Sequence, residues 1–542
     1  MQDDASTVRR SASVTTELDH LSRLVAGGRL SRRDFLGRAA MLGLSITAAN
    51  ALLTSAARAE GPVKGGVLRA GLVGGAATDS LDPATWASQV PYTIGRCWGE
   101  QLLEISPAGE IEYRLAESYE ASSDAKTWTF KIRKDVTFHN GKPLTPEDVV
   151  ATFERHADAD SKSAALAFVA EFDTVKADGG NVVITLKEPN ADLPYVVSDY
   201  HLMIQPNGGK GNPTEGIGTG PYRMAVNEPG VRHVGEKHEG YWGSDQRGHA
   251  DSVEIIVIND STARTAALQG GRIDMINRVE PKIVELVKRL PGVTLRNVPG
   301  KGHYVMIAHC NTAPFDNNDL RLALKYAVDR EEMVLKILSG YGTVGNDTPM
   351  IKGYPLFDDD IEQRKFDPEK AAEHYKKSGH SGPVLLRTSD VAFPGAVDAA
   401  QLFQQSAAKC GITVEIKREP GDGYWSDVWN KQPFSMSYWT GRPTQDQVYS
   451  IAYLSKAEWN DTRFFREDFD KLIIGARSEL DQAKRKAMYR QAAMILRDEG
   501  GAIVPMFNNY IDATSAKAGG WVDDPNGELM GGHALTKCWV VA

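Results

Sequence analysis

The run Trp128-Thr129-Phe130-Lys131-Ile132-Arg133-Lys134-Asp135-Val136-Thr137-Phe138-His139-Asn140-Gly141-Lys142-Pro143-Leu144-Thr145-Pro146-Glu147-Asp148-Val149 packs three local signals into one stretch. Its first six residues alternate apolar and polar, as a strand with one buried face does. Asn140-Gly141 supplies a tight turn. Thr145-Pro146-Glu147-Asp148 then opens a helix: Thr caps it, Pro takes the first helical position, and Asp148 stands three residues on. The spacing predicts a helix to about His156.

Working outward, the same logic places other elements. Gly66 to Leu72 reads as a strand that ends in the loop Gly74-Gly75-Ala76-Ala77-Thr78. Asn318 to Arg330 carries Leu320, Ala323, Leu324, Ala327 and Val328 at helical spacing. Residues 467 to 498 hold two amphipathic helices, stopped by Gly500-Gly501, and Ala502 to Phe507 reads as a strand. Strands and helices are mixed throughout, which fits a multi-domain α/β protein and not a barrel of regular βα repeats.

The 542 residues carry 62 basic and 71 acidic side chains, a net charge of −9, with 42% hydrophobic content. That composition is ordinary for a folded chain, and its sign argues against a nucleic-acid binder held by phosphate contacts. Ser31-Arg32-Arg33-Asp34-Phe35-Leu36-Gly37, an apolar stretch from Ala39 to Leu53, and Ala57-Arg58-Ala59 together read as a cleavable twin-arginine signal peptide. The Arg32-Arg33 pair would address the twin-arginine translocase, with cleavage after Ala59. Removing residues 1–59 takes away eight arginines and five acids, leaving a mature chain of 483 residues and net charge −12. No cysteine stands at the cut, so the expectation is a soluble exported protein without a lipid anchor, most simply periplasmic. Cys97, Cys310, Cys410 and Cys538 are too scattered for a metal cluster; their pairing is left open.

The chain lacks GxxxxGK[ST], HExxH, GxSxG and a GxGxxG after a strand. Gly216 to Tyr222 is rich in glycine, but Pro221 would interrupt a cradle of N–H donors, and the segment reads as a turn entering a strand. His233 and His238 are close in sequence yet form no cluster with other ligand types. The expectation is therefore no catalysis, no cofactor and no metal. Two alternatives remain: an exported enzyme with an unrecognised site, or a metal or metallophore receptor.

In order and spacing, several segments resemble the family 5 extracellular solute-binding proteins, the dipeptide, oligopeptide and nickel-type receptors of ABC importers. They are Leu81-Asp82-Pro83, Leu115 to Tyr119, the Trp128–Val149 run, Gly218 to Tyr222, Tyr241-Trp242, Gln269 to Asp274, Asp319 to Arg330 and Phe366 to Ala371. The resemblance implies a type II-like periplasmic binding protein fold of three lobes with a hinge-bending ligand cleft. Domain I would combine residues 60–92, 216–302 and 503–542. Domain II would be inserted at 93–215, and domain III would span 303–502, with a hinge near Tyr304 and Val504. It also implies a monomer that hands a small solute to an inner-membrane ABC permease.

A cleft for a small zwitterion needs fixed charges and flat apolar walls. The richest stretch is Tyr438-Trp439-Thr440-Gly441-Arg442-Pro443-Thr444-Gln445-Asp446, which the resemblance places on the cleft face of lobe III. Many peptide-binding members have an acid just before the corresponding proline, where this chain has Arg442. Arg442 offers a bidentate fork for a carboxylate and Asp446 could take an amine; the competing reading is an Arg442–Asp446 ion pair. The implied ligand is a peptide or an opine-like amino-acid conjugate. Trp459, Asn460, Tyr424, Thr78 and Trp86 are further candidate contacts, as is Arg387, which could instead pair with a neighbouring acid.

Overall fold

The computed structural model describes residues 61–541, apart from 87, 159, 161–162, 390–391, 421–423 and 458. The expected signal segment, with Arg32, Arg33 and the cut after Ala59, lies outside the described residues. Nineteen strands are present among the described residues: β1 (Val67–Leu72), β2 (Leu103–Ile105), β3 (Ile111–Tyr113), β4 (Ala116–Ala121), β5 (Thr127–Ile132), β6 (Phe172–Asp178), β7 (Asn181–Leu186), β8 (Tyr222–Glu228), β9 (Arg232–Lys237), β10 (Ser252–Val257), β11 (Met275–Ile276), β12 (Val293–Ala308), β13 (Gly342–Val344), β14 (Val384–Thr388), β15 (Val414–Arg418), β16 (Phe434–Trp439), β17 (Ala502–Ser515), β18 (Ala518–Gly519) and β19 (Trp539–Val540).

The block that opened the sequence reading folds as a strand, turn and capped helix. In β5, Trp128, Phe130 and Ile132 point into an apolar core while the alternate residues face outward. Strands β4, β5, β7 and β6 form an antiparallel sheet in that order. The helix Pro146–Ala157 covers it, burying Val149 and Phe153. The Asp148 carboxylate accepts from the N–H and the hydroxyl of Thr145, each at 3.0 Å, which satisfies the helix start. The helical pattern expected from Asn318 to Arg330 is instead two helices, Asn318–Tyr326 and Arg330–Ile337. Asp329 breaks the run because its side chain accepts from the Glu332 N–H and caps the second helix.

Eleven strands share one large sheet, in the order β15-β14-β16-β12-β17-β11-β1-β10-β9-β8, with β13 attached to β17. One half, around β1, β10 and β11, has its own apolar cores. The other half, around β12, β14, β16 and β17, is covered on its two faces by separate clusters. Three lobes therefore stand on three groups of cores: a first lobe, a lobe built on the β4–β7 sheet, and a C-terminal lobe. The strands β12 and β17, 16 and 14 residues long, run through both halves of the large sheet as an antiparallel pair. Their register slips between Pro299 and His303, and again between Tyr304 and Met306. Those irregularities lie where one half of the sheet gives way to the other. All four cysteines are free, and Cys97, Cys410 and Cys538 are buried.

Candidate functional site

The turn after β16 is where the first and C-terminal lobes meet. Arg442 is half-buried there, and its backbone N–H donates to the Tyr354 hydroxyl at 3.3 Å. Its guanidinium donates to the Thr440 hydroxyl at 2.9 Å and to the Gly441 carbonyl at 3.2 Å. Among the described residues no carboxylate pairs with it. Tyr200, from the β4–β7 lobe, is close enough for the Arg442 charge to act on its hydroxyl, against the upward push of burial. Tyr200 packs edge-on to Tyr92 of the first lobe, with ring centres 4.6 Å apart. The Arg442 charge thus reaches the Tyr200 phenol, which packs in turn on Tyr92.

Lys301, which the sequence reading did not single out, enters the same space from β12. It is 4% exposed. Its Nζ donates to Asn526 Oδ1 at 2.9 Å and sits 4.9 Å from the centre of the Tyr354 ring. Burial pushes its ammonium down to about 8, with Asp524 opposing at longer range. The available signal was Gly300-Lys301-Gly302: paired glycines inside a strand pattern mark a bulge, and bulges re-aim side chains.

Beside Arg442 stands an aromatic wall. Trp429, Trp439 and Trp459 meet pairwise at ring-centre distances of 6.1 to 6.5 Å. Behind them Asp461, 1% exposed, accepts from the indole N–H of Trp429 at 3.0 Å and of Trp439 at 3.1 Å. Burial pushes the Asp461 carboxyl up to about 7 against those two donors. Trp459 and Tyr438 keep large exposed faces.

Several of the expected contacts have partners within the fold. Asp446 is buried and does not pair with Arg442: both its oxygens accept from Arg477 Nε at 3.1 Å, and the Ser450 hydroxyl donates to it at 3.3 Å. Burial raises its pKa, with Arg477 pulling the other way. Beside it Asp192 of the β4–β7 lobe pairs with Arg485 at 2.6 Å, and the Ala191 N–H donates to the Arg477 carbonyl at 2.7 Å. Asp446 therefore lies beside a seam between lobes, already bonded to Arg477 and Ser450. Arg387 pairs with Glu419, as the second reading of that residue allowed. Tyr424 is buried and its hydroxyl donates to the Met436 carbonyl at 2.7 Å. Asn460 spends its amide on three carbonyls, those of Tyr453, Leu454 and Phe464. Trp86 is a core residue, edge-on to Trp98 at 5.9 Å and donating to the Ser80 carbonyl. Thr78 is exposed in the Gly/Ala loop, which packs against Gly230 at the β8–β9 turn.

The histidines in question are packed within the fold. His139 Nε2 bonds to the Gly220 carbonyl at 2.9 Å and its ring meets that of His238 edge-on; His233 bonds to Asn227 at 2.8 Å. Among the described residues no group of three or more His, Cys, Asp or Glu could hold a metal ion. No helix among them is long and apolar enough to cross a membrane.

The family profile described as bacterial extracellular solute-binding proteins, family 5 Middle, matches residues 110–461, more than half of the chain. The chain belongs to this family. Family 5 proteins are the substrate-binding components of ABC importers, and the three-lobed α/β fold is theirs. Heme-binding protein A of Haemophilus influenzae is 28% identical over 466 residues, covering 77% of this chain and 83% of that protein. The dipeptide-binding protein of Escherichia coli is 24% identical over 461 residues, covering 77% and 85%. The solved structure of HbpA2 from Haemophilus parasuis superposes with a TM-score of 0.79 at 22% identity, covering 88% of this solute-binding protein and all of that chain.

Proposed function

We propose that this solute-binding protein captures a peptide or an opine-like amino-acid conjugate between its lobes and delivers it to an inner-membrane ABC permease. The observation that carries the ligand class is Arg442: a half-buried guanidinium with no carboxylate partner among the described residues, its charge reaching the Tyr200 hydroxyl. A ligand carboxylate would complete it by a charge-assisted, bidentate bond. The exposed faces of Trp459 and Tyr438 supply flat apolar wall beside it. We assign the lobes to residues 60–92, 216–302 and 503–542 (domain I), 93–215 (domain II) and 303–502 (domain III). Closure would bend the paired strands β12 and β17 at their register slips, and ligand favours it only as far as its contacts differ between open and closed forms. The protein acts as a monomer without catalysis. It reaches the periplasm as a soluble product of the twin-arginine translocase, freed by cleavage after Ala59 and carrying no lipid anchor.

Thermal-shift screening of residues 60–542 against dipeptides, amino-acid conjugates, haem and chelated nickel tests this. A ligand at a hundred times its Kd adds about 2.7 kcal/mol of stability. Shifts confined to carboxylate-bearing amines are expected. Shifts with haem or chelated nickel alone would overturn the ligand class, and turnover of a bound compound would overturn the receptor reading.

A further inference from the structure

Arg442 commits only one corner of its guanidinium. Its side-chain bonds, to the Thr440 hydroxyl and to the carbonyls of Thr440 and Gly441, are all donated by Nη1. Nε and Nη2 donate to nothing among the described residues. Those two nitrogens form the edge whose parallel N–H groups match the two oxygens of a carboxylate. Nη1 meanwhile ties the side chain to its own turn, which holds the free edge in place.

Tyr200 comes to Arg442 from the β4–β7 lobe. It follows closely on Asp192, whose pair with Arg485 at 2.6 Å joins that lobe to the C-terminal one. The half-buried Tyr200 ring is gripped on two sides, by His201 with ring centres 4.0 Å apart and by Tyr92 at 4.6 Å. Both neighbours are tied down. His201 bonds through Nδ1 to Asp199 at 2.6 Å and through Nε2 to the Trp86 carbonyl at 2.9 Å, and the Tyr92 hydroxyl donates to the Gly531 carbonyl. Burial acts to strip the His201 proton, but the bond and charge of Asp199 outweigh it, so the Asp199 charge has its answer beside it. The Tyr200 hydroxyl makes no hydrogen bond among the described residues, while the Arg442 charge acts on it. Burial first, and then the Asp199 charge, raise the affinity of that phenol for its proton, so it stands as an unspent donor.

We propose that Tyr200 is the second arm of a carboxylate clamp: one ligand carboxylate takes the Nε–Nη2 edge of Arg442 from the C-terminal lobe and the Tyr200 hydroxyl from the β4–β7 lobe. This rests on the receptor reading above and deepens it, because it names a residue that couples capture to closure. No side-chain bond joins Arg442 to Tyr200 among the described residues, so the ligand itself supplies the link. That link is made only when the two lobes stand together, and it favours the closed form by the worth of the added bond.

Titration calorimetry on residues 60–542 tests it, with two acids, alanylalanine and N-(1-carboxyethyl)alanine, each beside its amide. Tyr200→Phe removes one oxygen and keeps the ring between His201 and Tyr92, so Tm should hold. The acid that binds should weaken at least about tenfold in Tyr200→Phe, because a bond to a charged acceptor is lost. Its amide offers a neutral acceptor and should weaken no more than about threefold. Arg442→Ala combined with Tyr200→Phe should cost the acid less than the product of the two single losses, since both arms hold one carboxylate. Unchanged acid affinity in Tyr200→Phe, an equal loss on acid and amide, or single losses that simply multiply would overturn the clamp and leave the receptor reading standing. No binding of either acid to the unsubstituted protein would overturn the ligand class beneath both.

Discussion

The C-terminal lobe meets the rest of the molecule along two seams that treat charge in opposite ways. Against the β4–β7 lobe, Asp192 pairs with Arg485 and Asp446 with Arg477, two acids for two guanidiniums. Around Tyr354, Lys301 bonds a neutral amide and Arg442 bonds Thr440 and Gly441, and neither makes an ion pair among the described residues. Arg442 and Asp446 are only four residues apart in sequence, yet they face different seams. The helix Gln445–Ala452 separates them: its first turn buries Asp446 while Arg442 stays on the turn before its Thr444 cap. One seam carries its own counter-charges; at the other, the proposed ligand carboxylate would supply the partner that Arg442 lacks among the described residues.

The largest effect is expected from unbalancing the balanced seam. Arg485→Ala strands a buried Asp192 and should cost about 3–5 kcal/mol, read as a lower Tm and a larger radius of gyration in X-ray scattering. The double variant Asp192→Ala/Arg485→Ala should recover part of that loss; no recovery would show that the pair is not the source. Next, Arg442→Ala should weaken a carboxylate ligand about 100-fold, or ~2–3 kcal/mol, by calorimetry with Tm nearly unchanged. Unaltered affinity would remove Arg442 from the cleft.

Asp461 offers a test by pH. Its carboxyl titrates near 7 in the folded protein and near the usual 3.8 when unfolded, so between those values the folded form holds a proton that the unfolded form lacks. Stability contributed by this group is therefore fully present below about pH 4, declines as pH rises to about 7, and is flat beyond. Asp461→Asn keeps acceptors for the two indoles and should gain on the order of 2 kcal/mol at pH 8, a gain that disappears at pH 4 in denaturant titrations. The smallest effect is on the wall: Trp459→Ala should cost roughly fivefold in ligand affinity, about 1 kcal/mol.

What was legible in the sequence was local. Alternation in Trp128–Arg133 and the Thr145–Asp148 cap depend on neighbours within a few residues, and both formed as read. The family, its fold and its transport role followed from ordered segments. Partners distant in the chain were not legible. Asp446 looked available because Arg477, 31 residues on, and Asp192, in another lobe, leave no mark near it. Asn460 looked like a cleft amide because nothing local announces that three carbonyls compete for it. Lys301 was passed over because a single lysine between glycines resembles a surface turn until the register of β12 against β17 is known.

The place of β17 in the chain has a consequence for biosynthesis. It pairs with β11, β12 and β13, all of which precede residue 502. A ribosome must therefore deliver nearly the whole polypeptide before the strand pair common to the two halves of the large sheet can zip. Until then β12 presents an unpaired edge that chaperones would have to shield.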